Sequence, residues 1–259
     1  MLSAAWGGRL RLAEVVAYLD QYLRIADVRD ARQALNGLQV ENRGTVSRIG
    51  AAVDACEATI RLAADADVDF LLVHHGLFWG GLRPLTGPAY RRIAGLLGRG
   101  IAVYGAHLPL DVHPDVGNAP VLARELGVTI HGAFGEWQEQ LVGVWGEVEL
   151  ERDAFTTRVA RALGLAPRLM PFGPSGVRRV GIATGGGGSV IRQAAEAGLD
   201  TFVTGEGAHY TYFDAEELGV NVYFGGHYAT ETFGVKALAA HLEAKFGLPW
   251  AFLDHPTGL

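Results

Sequence analysis

The stretch RIGAAVDACEATIRLAADADVDFLLVHHG, Arg48 to Gly76, returns without a gap as RVGIATGGGGSVIRQAAEAGLDTFVTGEG, Arg179 to Gly207. Arg48 meets Arg179, Gly50 meets Gly181, Ala63-Ala64 meet Ala194-Ala195 and Asp69 meets Asp200, all 131 positions apart. Each copy reads as a strand, a helix and a second, strongly apolar strand. Any two βαβ units share that general likeness, but identities at one fixed offset favour duplication of a single unit. The likeness extends further along the chain. GIAVYGAHLPLD and GVNVYFGGHYATE both run a short strand into glycine and then His-x-x-x-Asp/Glu, pairing His107 with His227 and Asp111 with Glu231 at an offset of 120. The expected fold is therefore α/β, with two similar lobes related by internal duplication, 1–135 and 136–259. The lobes would face each other across a metal-binding cleft within one compact unit.

Working outward, Leu12, Val15, Val16, Leu19 and Leu23 have the spacing of an amphipathic helix over 11–24. Asn36-Gly37 turns into a short strand. Helices are predicted over 55–64, 90–97, 120–126 and 152–163, and strands over 48–53, 69–73, 101–104, 140–150 and 220–224. A long helix runs from about His227 to Phe246. Gly76–Pro88 reads as a loop over the site, and Met170–Gly176 as a Pro/Gly-rich connector.

The bulk numbers narrow the function. A chain of 259 residues, 49% hydrophobic and only 19% charged, can bury a large core. Its net charge of −6 gives no electrostatic footprint for nucleic acid. The single cysteine, Cys56, cannot form an internal disulfide, lies away from the histidine motifs and reads as a core residue. No apolar run reaches the roughly 20 residues of a membrane span, and the N-terminus lacks a signal-peptide core. A cytoplasmic protein is expected.

Five of the nine histidines (His74, His75, His107, His209 and His227) fall just after predicted strands. That is where α/β proteins build their sites. On a helix His227 and Glu231 share one face, whereas Pro109 argues against a regular helix for His107 and Asp111 and puts that pair on a loop. Six imidazole and carboxylate groups (His74, His75, His107, Asp111, His227, Glu231) suit two divalent ions, of Zn, Fe, Mn or Ni rather than Mg or Ca. Asp111 and Glu231 could bridge ions about 3.5–4 Å apart, leaving a centre of about +2 that attracts hydroxide and anionic ligands. Adjacent strand residues point to opposite faces. Either the chain turns at His74-His75 or each histidine serves a different ion. His209 is a candidate general acid or base, or else a cap for the following helix. Glu206, opposite His75 in the repeat, could support a ligand from behind. Gly185–Gly188 between a strand and a helix could bind an anion, or simply make a tight turn. Phe78, Trp79 and Tyr228 could stack on a planar ring or pack under the loop.

With these motifs set out, the chain resembles the Nif-three-like dinuclear-metal-centre family, also called the GTP cyclohydrolase I type-two homologue family. The carrying residues are Asn36-Gly37-Leu38-Gln39-Val40, Val73-His74-His75-Gly76, Ala106 to Val112, Gly185–Gly188, Thr204-Gly205-Glu206 and GHYATE at Gly226 to Glu231, with Gly234-Val235-Lys236. They span nearly the whole chain, which matches the short form without an inserted domain. The resemblance implies two metal ions held by His74, His75, Asp111, His227 and Glu231, with His107 close by. It also implies a ring-shaped homohexamer. The chain departs from the common pattern at Gly76, where proline often stands, and at Leu108-Pro109-Leu110, where threonine and asparagine are more usual. Those changes touch loop shape and substrate contacts rather than ligands. The family name implies hydrolytic opening of the GTP purine ring, and the first hypothesis is a metal-dependent hydrolase acting on a nucleotide or similar cyclic amide, with His209 or His107 as the catalytic residue that moves protons. The alternative is a non-enzymatic protein that stores or delivers metal, or regulates. The scattered Arg83, Arg91 and Arg92 offer no basic cluster for a triphosphate.

Overall fold

The computed structural model describes residues 9–81 and 83–259. In chain order the first half carries β1 (Leu10–Arg11), α1 (Leu12–Tyr22), β2 (Gly37–Val40), β3 (Thr45–Val46), β4 (Ile49–Asp54), α2 (Glu57–Asp65), β5 (Phe70–His75), α3 (Gly87–Arg99), β6 (Ala102–Gly105) and α4 (Leu108–Asp111). Then follow α5 (Asn118–Glu125), β7 (Thr129–Trp137), β8 (Gln140–Glu151), α6 (Arg152–Leu163), β9 (Arg168–Pro171), β10 (Gly176–Ile182), α7 (Ile191–Glu196), β11 (Thr201–Thr204), α8 (Thr211–Leu218), β12 (Asn221–Phe224), α9 (His227–Phe246) and β13 (Trp250–Phe252). None of the described helices is long and apolar enough to cross a membrane.

The chain packs as two compact units. The first runs to Pro109 and takes in Val235–His255; the second is Leu110–Gly234 with Pro256–Leu259. These units cut the chain at other places than the expected lobes 1–135 and 136–259. The reason is in the pairing: β7, which straddles position 135, is the antiparallel partner of β8, and β13 returns to lie parallel to β4.

In the first unit the described sheet order is β13-β4-β5-β6-β2. Strands β4, β5 and β6 are parallel, and β2 is antiparallel at the edge. β4 and β5 are buried almost end to end, which is why IGAAVD and FLLVHH read as apolar runs rather than alternating ones. Ile60 and Ala63 of α2 and Leu96 of α3 close over Leu71, Val73, Ile101 and Val103. At roughly 1.5–3 kcal/mol for each large apolar side chain fully buried, this layer contributes much of the unit's stability.

The second unit repeats the scheme. Its sheet order is β7-β8-β10-β11-β12-β9, with β10, β11 and β12 parallel and β9 antiparallel at the edge. The order β10-β11-β12-β9 thus matches β4-β5-β6-β2 strand for strand, in the chain as well as in the sheet. The flanks differ: β4 has a parallel neighbour in β13, whereas β10 has an antiparallel one in β8. Phe155 and Val159 of α6 pack on Val177, Val180 and Tyr223 in one core. Ile191 and Ala194 of α7 pack on Phe202 and Val222 in the other.

Two local expectations change. The stretch 170–176 is not merely a connector, because Arg168–Pro171 adds to β12 as an edge strand, a position where proline is tolerated. Residues 108–111 form a short helix rather than a loop, since Pro109 falls in its first turn, where the missing N–H would be unpaired anyway. Cys56 is half-buried, at the N-cap of α2.

Candidate metal centre

The first unit gathers three imidazoles. The ligand atoms of His74, His75 and His107 lie within 4.8 Å of one another. His74 and His75 close β5, and the strand stays regular through both. Yet their ring centroids are only 4.7 Å apart, tilted by 47°. The alternation of side chains therefore does not separate the two histidines at the strand end. His107, just beyond β6, brings its ring centroid within 4.9 Å of His74 and 5.7 Å of His75. Trp79, from the loop after β5, sets its ring perpendicular to His107, 4.7 Å away.

Each ring is held from behind. His74 Nδ1 donates to the Ala106 carbonyl at 3.0 Å, and that acceptor requires the proton to sit on Nδ1. His75 Nδ1 donates to Asp54 Oδ1 at 2.9 Å, and His107 Nδ1 to Asp30 at 2.9 Å. With Nδ1 committed, Nε2 is the nitrogen left to ligate, which is the arrangement metal-binding histidines use. Asp30 is itself braced by Asn36 Nδ2 and the Leu108 N–H. Burial pushes the Asp30 carboxyl upward, but the hydrogen bond and charge of His107, with Asn36 and Leu108, outweigh it and hold it below the ordinary carboxylate range.

The second unit supplies an imidazole and carboxylates. His227 and Glu231 share one face of α9, with Nε2 and Oε2 3.1 Å apart. His227 Nδ1 meets Glu206 Oε1 at 2.8 Å, so the fourth ring is held like the other three. The hydrogen bond to Glu231 raises the His227 pKa against the effect of burial, and the charges of Glu231 and Glu206 add to it. The result is a value pushed up to about 9. Asp111 is 7% exposed and accepts from Asn118 Nδ2 at 2.8 Å, and Asn118 Oδ1 accepts the Gly234 N–H in α9. The glycine run brings the backbone close to Glu231 and His227. Gly185 has φ +60°, and a methyl group there would overlap Glu231 Oε1 and fall 3.2 Å from His227 Nε2. A tight turn at a close approach explains Gly185, without an anion.

His209 is not one of these donors. It is exposed, with its ring edge-on to Phe213 at 5.6 Å. It does not cap α8 either: the N-cap is Tyr210, without a side-chain bond. It lines a pocket of about 280 Å³ whose wall includes Glu206.

The Duf34/NIF3 profile (NGG1p interacting factor 3) matches residues 10–257. This chain belongs to the DUF34/NIF3 family. It is 44% identical over 254 residues to the "GTP cyclohydrolase 1 type 2 homolog" of Deinococcus radiodurans, covering 97% of this chain and 96% of the relative. It is 41% identical over 250 residues to the Archaeoglobus fulgidus protein of the same name, covering 96% of this chain and 100% of that one. Among solved structures, TTHA1606 from Thermus thermophilus superposes with a TM-score of 0.88 at 47% identity, covering 96% of this chain and 100% of that one. The α/β fold is thus that of the NIF3 family.

In this DUF34/NIF3 chain, three imidazoles with fixed Nδ1 atoms and converging ligand nitrogens fit a divalent transition-metal ion. Sequence reasoning missed the acceptors Asp30 and Asp54 and the brace Asn118. Asp54 left a signal, because it closes β4 directly beside His75 in the paired strand. Asp30 left none, being 77 residues from His107.

Proposed function

We propose that the chain is a dinuclear metal-dependent hydrolase acting on a nucleotide or other cyclic amide. The observation that carries the reading is the common posture of four imidazoles, each with Nδ1 tied to a protein acceptor. In this reading His74, His75, Asp111, His227 and Glu231 hold two ions of Zn, Fe, Mn or Ni. Asp111 and Glu231 would be the carboxylates shared by both ions. Bound ions of this kind supply Lewis acidity and a water acidic enough to lose its proton near neutral pH. The chain's own residues do the rest. Ala106, Asp54 and Glu206 fix the imidazoles of His74, His75 and His227 in the ligating tautomer. In this reading His107, braced by Asp30, and His209, exposed in the pocket wall, take up and return protons. Among the described residues, Arg168 is the one arginine or lysine lining that pocket, and it meets anionic ligands. A closed homohexamer, expected from the resemblance, completes the proposal.

The test is metal analysis of anaerobically purified protein and its variants, with a nucleotide and cyclic-amide turnover screen. E231A should lose both metals, and H227A should lose metal and activity together. H209A should keep its metal while turnover falls by roughly 10²–10⁴, the usual worth of one general acid or base. Full metal retention in E231A removes the bridging role. Metal loss in H209A makes His209 a ligand. A loaded protein that turns over nothing in the panel is a metal store or carrier.

A further inference from the structure

The pocket beside Glu206 has a chemistry of its own. It lies wholly within the second unit, at the C-terminal ends of β11 and β12 and the start of β9. Apolar walls come from Met170, Phe224 and Tyr212, and polar groups from Arg168, Glu206 and His209. Phe224 and Arg168 are cross-strand partners. Gly207 brings backbone close to the Phe224 ring: a Cβ there would meet Cε1 and Cζ at 2.8 Å. Tyr212 is fixed edge-on by Phe172 at 5.2 Å. Two aromatic walls suit a planar ring.

The polar groups define the rest of the ligand. Arg168 is exposed, makes no ion pair among the described residues, and presents a planar fork suited to one carboxylate or phosphate. Glu206 commits Oε1 to His227 and still has a second oxygen, an acceptor that pairs with a ring N–H. At about 280 Å³ the cavity is at the small end for ligand sites. The several negative charges of a nucleoside triphosphate would find a single arginine there.

We infer that this pocket binds a small planar heterocycle with a lactam or amidine N–H edge and a single acidic group, the N–H edge toward Glu206 and the acid on Arg168. The inference deepens the proposed function by naming its ligand class, and rests on it only in taking the Glu206 wall as part of the same site. Bound this way, the ring presents its N–H edge to the carboxylate that holds His227, so recognition and the metal donors share one residue.

The experiment is ligand-observed saturation-transfer NMR on the intact protein with orotate, uracil, benzoate, inorganic phosphate and GTP as probes. Orotate carries both features, uracil lacks the acid, and benzoate lacks the N–H edge. Orotate should bind at least about tenfold more tightly than uracil or benzoate, the worth of one charge-assisted contact. R168Q should erase its advantage over uracil, and E206Q its advantage over benzoate. R168K, which keeps the charge without the fork, should fall between, and it reads the same contrast if R168Q folds poorly. Equal binding of orotate, uracil and benzoate, or orotate binding indifferent to R168Q, overturns the inference. So does Arg168-dependent binding of GTP tighter than that of orotate, or phosphate binding as tightly as orotate. Metal content measured on the same samples separates the two claims, because R168Q should keep its metal even if E231A fails to lose it.

Discussion

Asp30 accepts hydrogen bonds from His107, Asn36, Leu108 and Ala31, so D30N should do more than remove a charge. An amide nitrogen in place of one oxygen leaves a buried donor facing donors. We expect D30N to lose about 1–3 kcal/mol of stability in denaturant titration, the cost of an unsatisfied buried group. His107 would lose its fixed tautomer as well. His227 carries the opposite linkage. Its pKa is raised from 6.5 to about 9 in the metal-free fold. A raised value means stabilisation that is complete below the unfolded pKa and is lost as pH rises through the folded one. The metal-free protein should therefore melt at progressively lower temperature between about pH 6.5 and 9, and H227Q should lack that component. Equal slopes in the two proteins would remove His227 as the source. At this scale the clustering of imidazoles was legible in the sequence, because histidines at strand ends stand out. The groups that orient them were not, because a buried aspartate is distinguished only by what folds against it.

At the scale of elements, the turn at Gly185 is the tightest constraint around Glu231 and His227. Its N–H donates to Thr230 Oγ1 at 3.0 Å, its φ is left-handed, and it faces Glu231. G185A should cost about 1–2 kcal/mol for the left-handed backbone alone. It should also displace Glu231 and lower metal content well beyond that stability loss; metal analysis at matched folded fraction checks it. The central parallel strands β4, β5, β6, β11 and β12 were readable as short apolar runs before turn residues, and β10, with Arg178 and Arg179, through its match to β4. The edge strands β9 and β13 were not. Arg168–Pro171 and Trp250–Phe252 are too short to stand out as strands, and they pair along the edges that β12 and β4 present. The short helix at 108–111 escapes the sequence pattern because proline breaks most helices, whereas here it sits in the first turn.

For the whole molecule, the 131-residue offset foretold matching strand orders, and β4-β5-β6-β2 and β10-β11-β12-β9 do match. The flanking strands break the likeness, and nothing in the repeat announces them, because they lie outside the repeated stretch. The hexamer proposal predicts a single species of about six times 27.6 kDa by light scattering at micromolar concentration. A monomer would end it. Strand β13 has one more consequence. Its partner β4 is made roughly 200 residues earlier, so during synthesis the first sheet waits with one edge unpaired while the strands of the second unit emerge. At roughly 5–20 residues per second the wait lasts on the order of ten seconds or more. An open apolar edge is an invitation to wrong partners. Nascent chains stalled before Trp250 should accordingly be held by chaperones and cut readily by protease in the first unit, while the second unit, its strands already made, resists.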